Sequence, residues 1–147
     1  MIRTILLMLS CLCSVIASES VQPEPKPDLI FLLSGQSNMV GSGYSADLPN
    51  TDDYKPYRKH LKNVSIWNVR EKSWQPLQLG KRFGPEIGFA HALSSSHPGK
   101  HIGLVKYAAG GTSMDKWAPG GKLYTRLMTA SQDATRNAPD AKLAAML

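Results

Sequence analysis

Two short runs of apolar residues, Leu29 to Leu33 and Ile102 to Val105, restrict the fold of this chain more than anything else in it. Neither alternates with polar residues. A strand with one face in water reads apolar and polar by turns, whereas a strand covered on both faces stays apolar. The runs therefore predict buried strands over Asp28 to Ser34 and Ile102 to Ala108, in a parallel sheet with helices on both sides. Pro85 and Glu86 open one helix, with proline in the first turn and the carboxylate at the positive end of the dipole. Ile87, Phe89, Ala90 and Leu93 give it an apolar stripe, and "SSSHPGK" ends it. Leu123 to Ala138 carries Leu123, Leu127, Met128 and Ala134 at helical spacing, Pro139-Asp140 stops it, and Leu143 to Leu147 reads as a third buried strand. Val64 to Val69 and Trp74 to Leu77, joined by "REKS", predict a hairpin, and residues 40 to 62 predict a long surface loop. Strands and helices in this order specify an α/β fold, a three-layer sandwich with right-handed crossovers. The 147 residues suffice for one such core.

The N-terminus is of another kind. Arg3 precedes an apolar stretch, Ile5 to Ala17, too short to span a bilayer comfortably, and Val15-Ile16-Ala17 has the spacing for cleavage after Ala17. Residues 1–17 read as a signal peptide, 18–27 as a linker stiffened by Pro23, Pro25 and Pro27, and 28–147 as the folded domain. The expected location is secreted or periplasmic, with no membrane attachment after cleavage. Cys11 and Cys13 leave with the signal, so packing alone must hold the domain. The net charge of +6 comes from scattered residues such as Lys55, Arg58, Lys62, Arg70 and Lys81, with no basic block and no aromatic-rich motif. That pattern predicts a solvated surface and no nucleic-acid partner.

Chemistry in open α/β sheets gathers beyond the carboxyl ends of the strands. Two segments fall there, "SGQSNM" after the first strand and "AAGGTS" after Ala108. Ser37 reads either as an ordinary turn serine or as a nucleophile, with Gly35 bending the backbone and the Ser37 amide facing an oxyanion. Met39 stands where the G-x-S-x-G elbow has its second glycine, which excludes that motif. Gly110 and Gly111 could present N–H groups to a substrate oxygen, and Trp117, Tyr44 or Trp74 could stack on a sugar. None of His60, His91, His97 and His101 is placed as a base for Ser37, and metal-ligand spacing is absent. Asn63-Val64-Ser65 matches a glycosylation sequon.

Four segments in order, "FLLSGQSNMVG" (31–41), "FGPEIGFAHAL" (83–93), "IGLVKYAAGGTSMDKW" (102–117) and "PGGKLYTRL" (119–127), resemble the sialate O-acetylesterase and acetylxylan-esterase type of carbohydrate esterase, a branch of the SGNH hydrolases. The resemblance covers the chain from Asp28 onward. It implies a flavodoxin-like α/β/α sandwich and hydrolysis of O-acetyl esters on sugars, without metal or organic cofactor. Ser37 matches the family's nucleophile; its amide and that of Gly110 or Gly111 would form the oxyanion hole. Gln36, Asn38 and Glu86 match recurrent positions expected to shape these loops.

In the family, a strand like Leu143 to Leu147 runs into a W-x-Q-G-E type block that completes the oxyanion hole, and a later D-x-x-H block supplies the aspartate and histidine. This chain stops at Leu147, short of both. The expectation is thus the N-terminal part of such a domain, marginally stable and inactive by itself. Two other readings remain: a non-catalytic carbohydrate-binding remnant, and a half-enzyme completed by a separate C-terminal partner.

Overall fold

The computed structural model describes residues 24–147. Residues 1–17, expected to be a signal peptide, and residues 18–23 of the expected linker lie outside them; residues 24–27 lead into the first strand without regular structure, and Pro27 is buried against Gly103. Among the described residues no helix is long and apolar enough to cross a membrane.

The centre of the molecule is a five-stranded sheet. Its strands are β1 (Leu29–Gly35), β3 (Val64–Asn68), β4 (Ser73–Pro76), β6 (Ile102–Ala108) and β7 (Lys142–Met146), in the spatial order β4-β3-β6-β1-β7. β3, β6, β1 and β7 run parallel, and β4 returns antiparallel from β3 as the expected hairpin, with Trp67 opposite Trp74. Two short strands escape the sequence reading. Inside the long loop, β2 (Gly43–Tyr44) pairs with β5 (Arg82–Phe83), and Arg58 ties the loop together by donating to the Ser45 and Leu48 carbonyls.

The continuous hydrophobicity of β1 has a direct explanation. Side chains of a strand alternate between faces, and both faces here are covered. Phe31 and Leu33 pack with Leu104, Leu77 and the stripe Ile87, Ala90 and Leu93 of helix α2 (Glu86–Ser96). Ile30 and Leu32 pack on the other side with Val105, Trp67, Trp74 and with Ala130, Ala134 and Ala138 from helix α3 (Lys122–Asn137) and its end. The result is a three-layer α/β/α arrangement. In α3 the buried positions are Leu123, Leu127, Ala130, Ser131 and Ala134, so Met128, read as part of the stripe, sits one step off it.

β7 corrects the sequence reading. It was expected to be buried, yet every residue of it is exposed. Among the described residues the strand pairs with β1 alone and stands at the sheet edge, with Met146 facing the cleft that Tyr124 and Leu127 of α3 also line.

Candidate functional site

β1 and β6 are neighbours in register, Gly35 opposite Ala108, so the segments that follow them emerge side by side. Gly35 turns the first with φ +154°, and a Cβ there would lie 2.9 Å from the Met39 Cβ. Ser37 then begins a one-turn helix, α1 (Ser37–Val40), rather than sitting on a plain turn. Val40 N–H donates to the Gln36 carbonyl (2.9 Å) and Gly41 N–H to the Ser37 carbonyl (3.0 Å). The leading N–H groups of a helix have no intrahelical acceptor. Among the described residues, those of Ser37, Asn38 and Met39 therefore remain for a group outside the helix.

The second segment is fastened to the first, with Ala109 N–H donating to the Gly35 carbonyl at 3.0 Å. This brings Gly110 against Ser37: a Cβ built on Gly110 would stand 3.9 Å from the Ser37 Cα and Cβ. Gly111, in the left-handed region at φ +66°, faces open space instead. Of the paired glycines, Gly110 is the one beside the serine.

Below α1 lies a buried ion pair. Glu86, the first residue of α2, accepts from the Lys106 ammonium at 2.6 Å through Oε2 and from the Gly84 N–H at 3.0 Å through Oε1. Lys106 Nζ also donates to the Val40 carbonyl at 3.1 Å. Gly84 touches the α1 terminus, since a Cβ on it would lie 3.0 Å from both the Gly41 Cα and the Met39 carbonyl oxygen. Glu86 is thus at the loop junction. The side chains of Gln36 and Asn38 are exposed and make no hydrogen bond among the described residues; Gln36 contributes its carbonyl to α1 instead.

On the far side of the Ser34–Gln36 segment is a cleft of about 450 Å³, lined by Gln36, Thr112, Trp117, Tyr124, Leu127 and Met146 among others. Trp117 is half-buried there, its indole N–H donating to Thr112 Oγ1 (3.0 Å), whose hydroxyl donates to the Ala109 carbonyl (2.8 Å). Trp74 is no sugar platform. It is buried edge-on to Trp67, with its ring over Gly103. Tyr44 is exposed but has the Arg82 guanidinium 5.3 Å from its ring centre.

The histidines are elsewhere. His101 shares a hydrogen bond with Ser65 (2.9 Å), His97 with Ser96 (2.9 Å), and the His91 ring packs edge-on to Tyr57. His60 is exposed in the long loop, and among the described residues no histidine bonds to Ser37. The sequon is occupied by structure: Asn63 donates to the Lys100 carbonyl (3.1 Å), accepts from Ser94 (2.8 Å), and Ser65 is fully buried.

Sequence reasoning missed Lys106. The signal was present, because a lysine inside "IGLVKYA" has to find a partner once that strand is central and covered.

Comparison with known proteins gives the family and the fold. Residues 27–147 match the family model described as carbohydrate esterase, sialic acid-specific acetylesterase (SASA). A protein of Arabidopsis thaliana named probable carbohydrate esterase is 28% identical over 144 residues, covering 79% of this chain and 51% of its own length. An X-ray structure of the protein of that Arabidopsis locus superposes with a TM-score of 0.67 at 25% identity, covering 82% of this chain and 56% of the other. The chain therefore spans about half the length of the relative it matches. It belongs to the sialic acid-specific acetylesterase family of carbohydrate esterases.

Proposed function

We propose that this chain carries the nucleophile half of an esterase that removes O-acetyl groups from carbohydrates, and that it is exported by residues 1–17. The observation supporting the reading is the apposition of Ser37, first residue of α1 at the carboxyl end of a central strand, with Gly110 from the loop after β6. In that arrangement Ser37 Oγ attacks the acetyl carbonyl, and the oxyanion forms near the amides of Ser37 and Gly110. The sugar hydroxyl departs with a proton, leaving an acetyl-serine that water converts to acetate. Trp117, at the rim of the adjoining cleft, is the candidate for contact with the sugar ring.

Among the described residues no histidine stands as proton acceptor beside Ser37. A serine hydroxyl without its base is a weak nucleophile, and loss of triad members lowers the rate by about 10⁴ to 10⁶. The histidine and carboxylate would come from polypeptide outside these residues, such as a complementing C-terminal half. The test is acetate release from O-acetylated sialic acid and acetylated xylan, by the purified chain and by the chain recovered from its own cells with co-purifying protein. The expected result is release only in the second case, abolished by Ser37→Ala. Release there that ignores Ser37→Ala removes Ser37 as nucleophile; Ser37-dependent release by the pure chain places the base within it.

A further inference from the structure

We propose that Lys106 is a positioning residue for Ser37, acting through the Val40 carbonyl. Its significance for catalysis rests on the reading of Ser37 as nucleophile; its effect on α1 does not. Lys106 follows Ile102 and Leu104 at period two on the α2 face of β6, and its side chain is 15% exposed. There it has two partners of different kinds. One is the Glu86 carboxylate, which balances its charge; the other is the carbonyl of the last residue of α1.

A helix of four residues, Ser37–Val40, has only the Val40 and Gly41 N–H groups to close its turn. So short a helix does not persist on internal bonds, since nucleation fixes several residues for each bond gained. It must be held from outside, and it is held at each end. On the N-terminal side, Ala109 N–H binds the Gly35 carbonyl; on the C-terminal side, Lys106 binds the Val40 carbonyl. A cation there also faces the negative end of the turn, the favourable sense of the dipole. Through Oε1, Glu86 fixes Gly84, whose backbone lies against Gly41. Lys106 thus links the strand bearing the Gly110 loop to the turn bearing Ser37, and it sets where the serine stands relative to that loop.

Two roles can be separated. If Lys106 only neutralises Glu86, removing both charges restores the native arrangement. If it positions α1, the turn stays loose even after the charge is balanced. The experiment is amide hydrogen exchange on the 147-residue chain and its Lys106→Met, Glu86→Gln and double Lys106→Met/Glu86→Gln variants. Glutamine retains an oxygen to accept from Gly84. In the double variant the amides of Val40 and Gly41 should lose about tenfold or more in protection, while Leu32, Val105 and Ala109 change by less than about threefold. Wild-type protection at Val40 and Gly41 in the double variant overturns the proposal. So does an equal loss at Leu32 and Val105, which marks general destabilisation. If Lys106→Met alone fails to fold, the double variant still decides. In an active preparation the double variant should lower kcat with KM little changed. If no Ser37-dependent turnover exists, that arm fails with the esterase reading while the exchange result stands.

Discussion

A single glycine shows how tightly the Ser37 segment is fitted. Gly41 ends α1 in the left-handed region at φ +100°, and a Cβ there would run into the Phe83 carbonyl group and the Gly84 nitrogen. Gly99 shares the left-handed backbone at φ +77°, but a Cβ there meets nothing within 4 Å. Unusual φ alone costs about 1–3 kcal/mol for a residue with a side chain. Gly41→Ala adds a collision with backbone, which cannot rotate away. Urea unfolding should therefore show Gly41→Ala more destabilising than Gly99→Ala by at least about 1 kcal/mol. Equal losses would mean that the 83–84 segment yields freely and does not support the turn. The residue scale is also where the sequence was most legible for the site. Ser37, Gly110 and Glu86 lie in distinctive motifs, and a motif names its residues. Lys106 does not, because its role depends on a carbonyl brought over from residue 40 by the fold.

Elements meet at the other end of the sheet as well. Where β1, β3 and β6 begin, Asp28 accepts from the His101 N–H at 2.8 Å, and Asn63 and His101 tie β3 to β6. Burial makes the His101 ring harder to protonate than an ordinary histidine, with the Glu24 and Asp28 carboxylates partly opposing this. His91 on α2 is shifted the same way, by burial against its surroundings. A histidine that resists protonation when folded takes up its proton more readily when unfolded, so stability is complete above the ordinary value of 6.5 and falls as pH drops through it. Asp28 acts in the same direction only near and below its ordinary 3.8, because the His101 N–H and Lys100 hold its carboxylate ionised. The thermal midpoint should thus be lower at about pH 5.5 than at about pH 7.5. His101→Gln, which can keep a bond to Ser65, should flatten part of that difference. A midpoint independent of pH across this window would mean that neither ring is buried against protonation. None of this pairing was legible in the sequence, since Ser65 and His101 are far apart in the chain and neither lies in a periodic pattern.

For the whole molecule, the layered fold was readable because its signal is local: each covered strand is apolar by itself, and each helix carries its own stripe. What β7 packs against is not local. Its sequence, "KLAAM", resembles the covered strands, and only its place in the sheet decides that it is the exposed edge. The small β2–β5 pairing was missed for the same reason, as two-residue strands leave no period to read. The edge has a physical consequence. Leu143 is 51% exposed and Met146 62%, on a strand with one side unpaired among the described residues, and Leu147 just beyond it is 56% exposed. Such an edge is a template for pairing with another chain, and Lys142 is the one charged residue on it. The 147-residue chain should therefore self-associate as concentration rises, and Met146→Lys, which adds charge to the edge without touching Ser37, should reduce that association. Analytical ultracentrifugation reads this directly. A parent chain that stays monomeric at all concentrations, or association that survives Met146→Lys unchanged, would rule out β7 as the adhesive surface. The association would then have to be sought at the opposite edge, β4, where Pro76 already limits pairing.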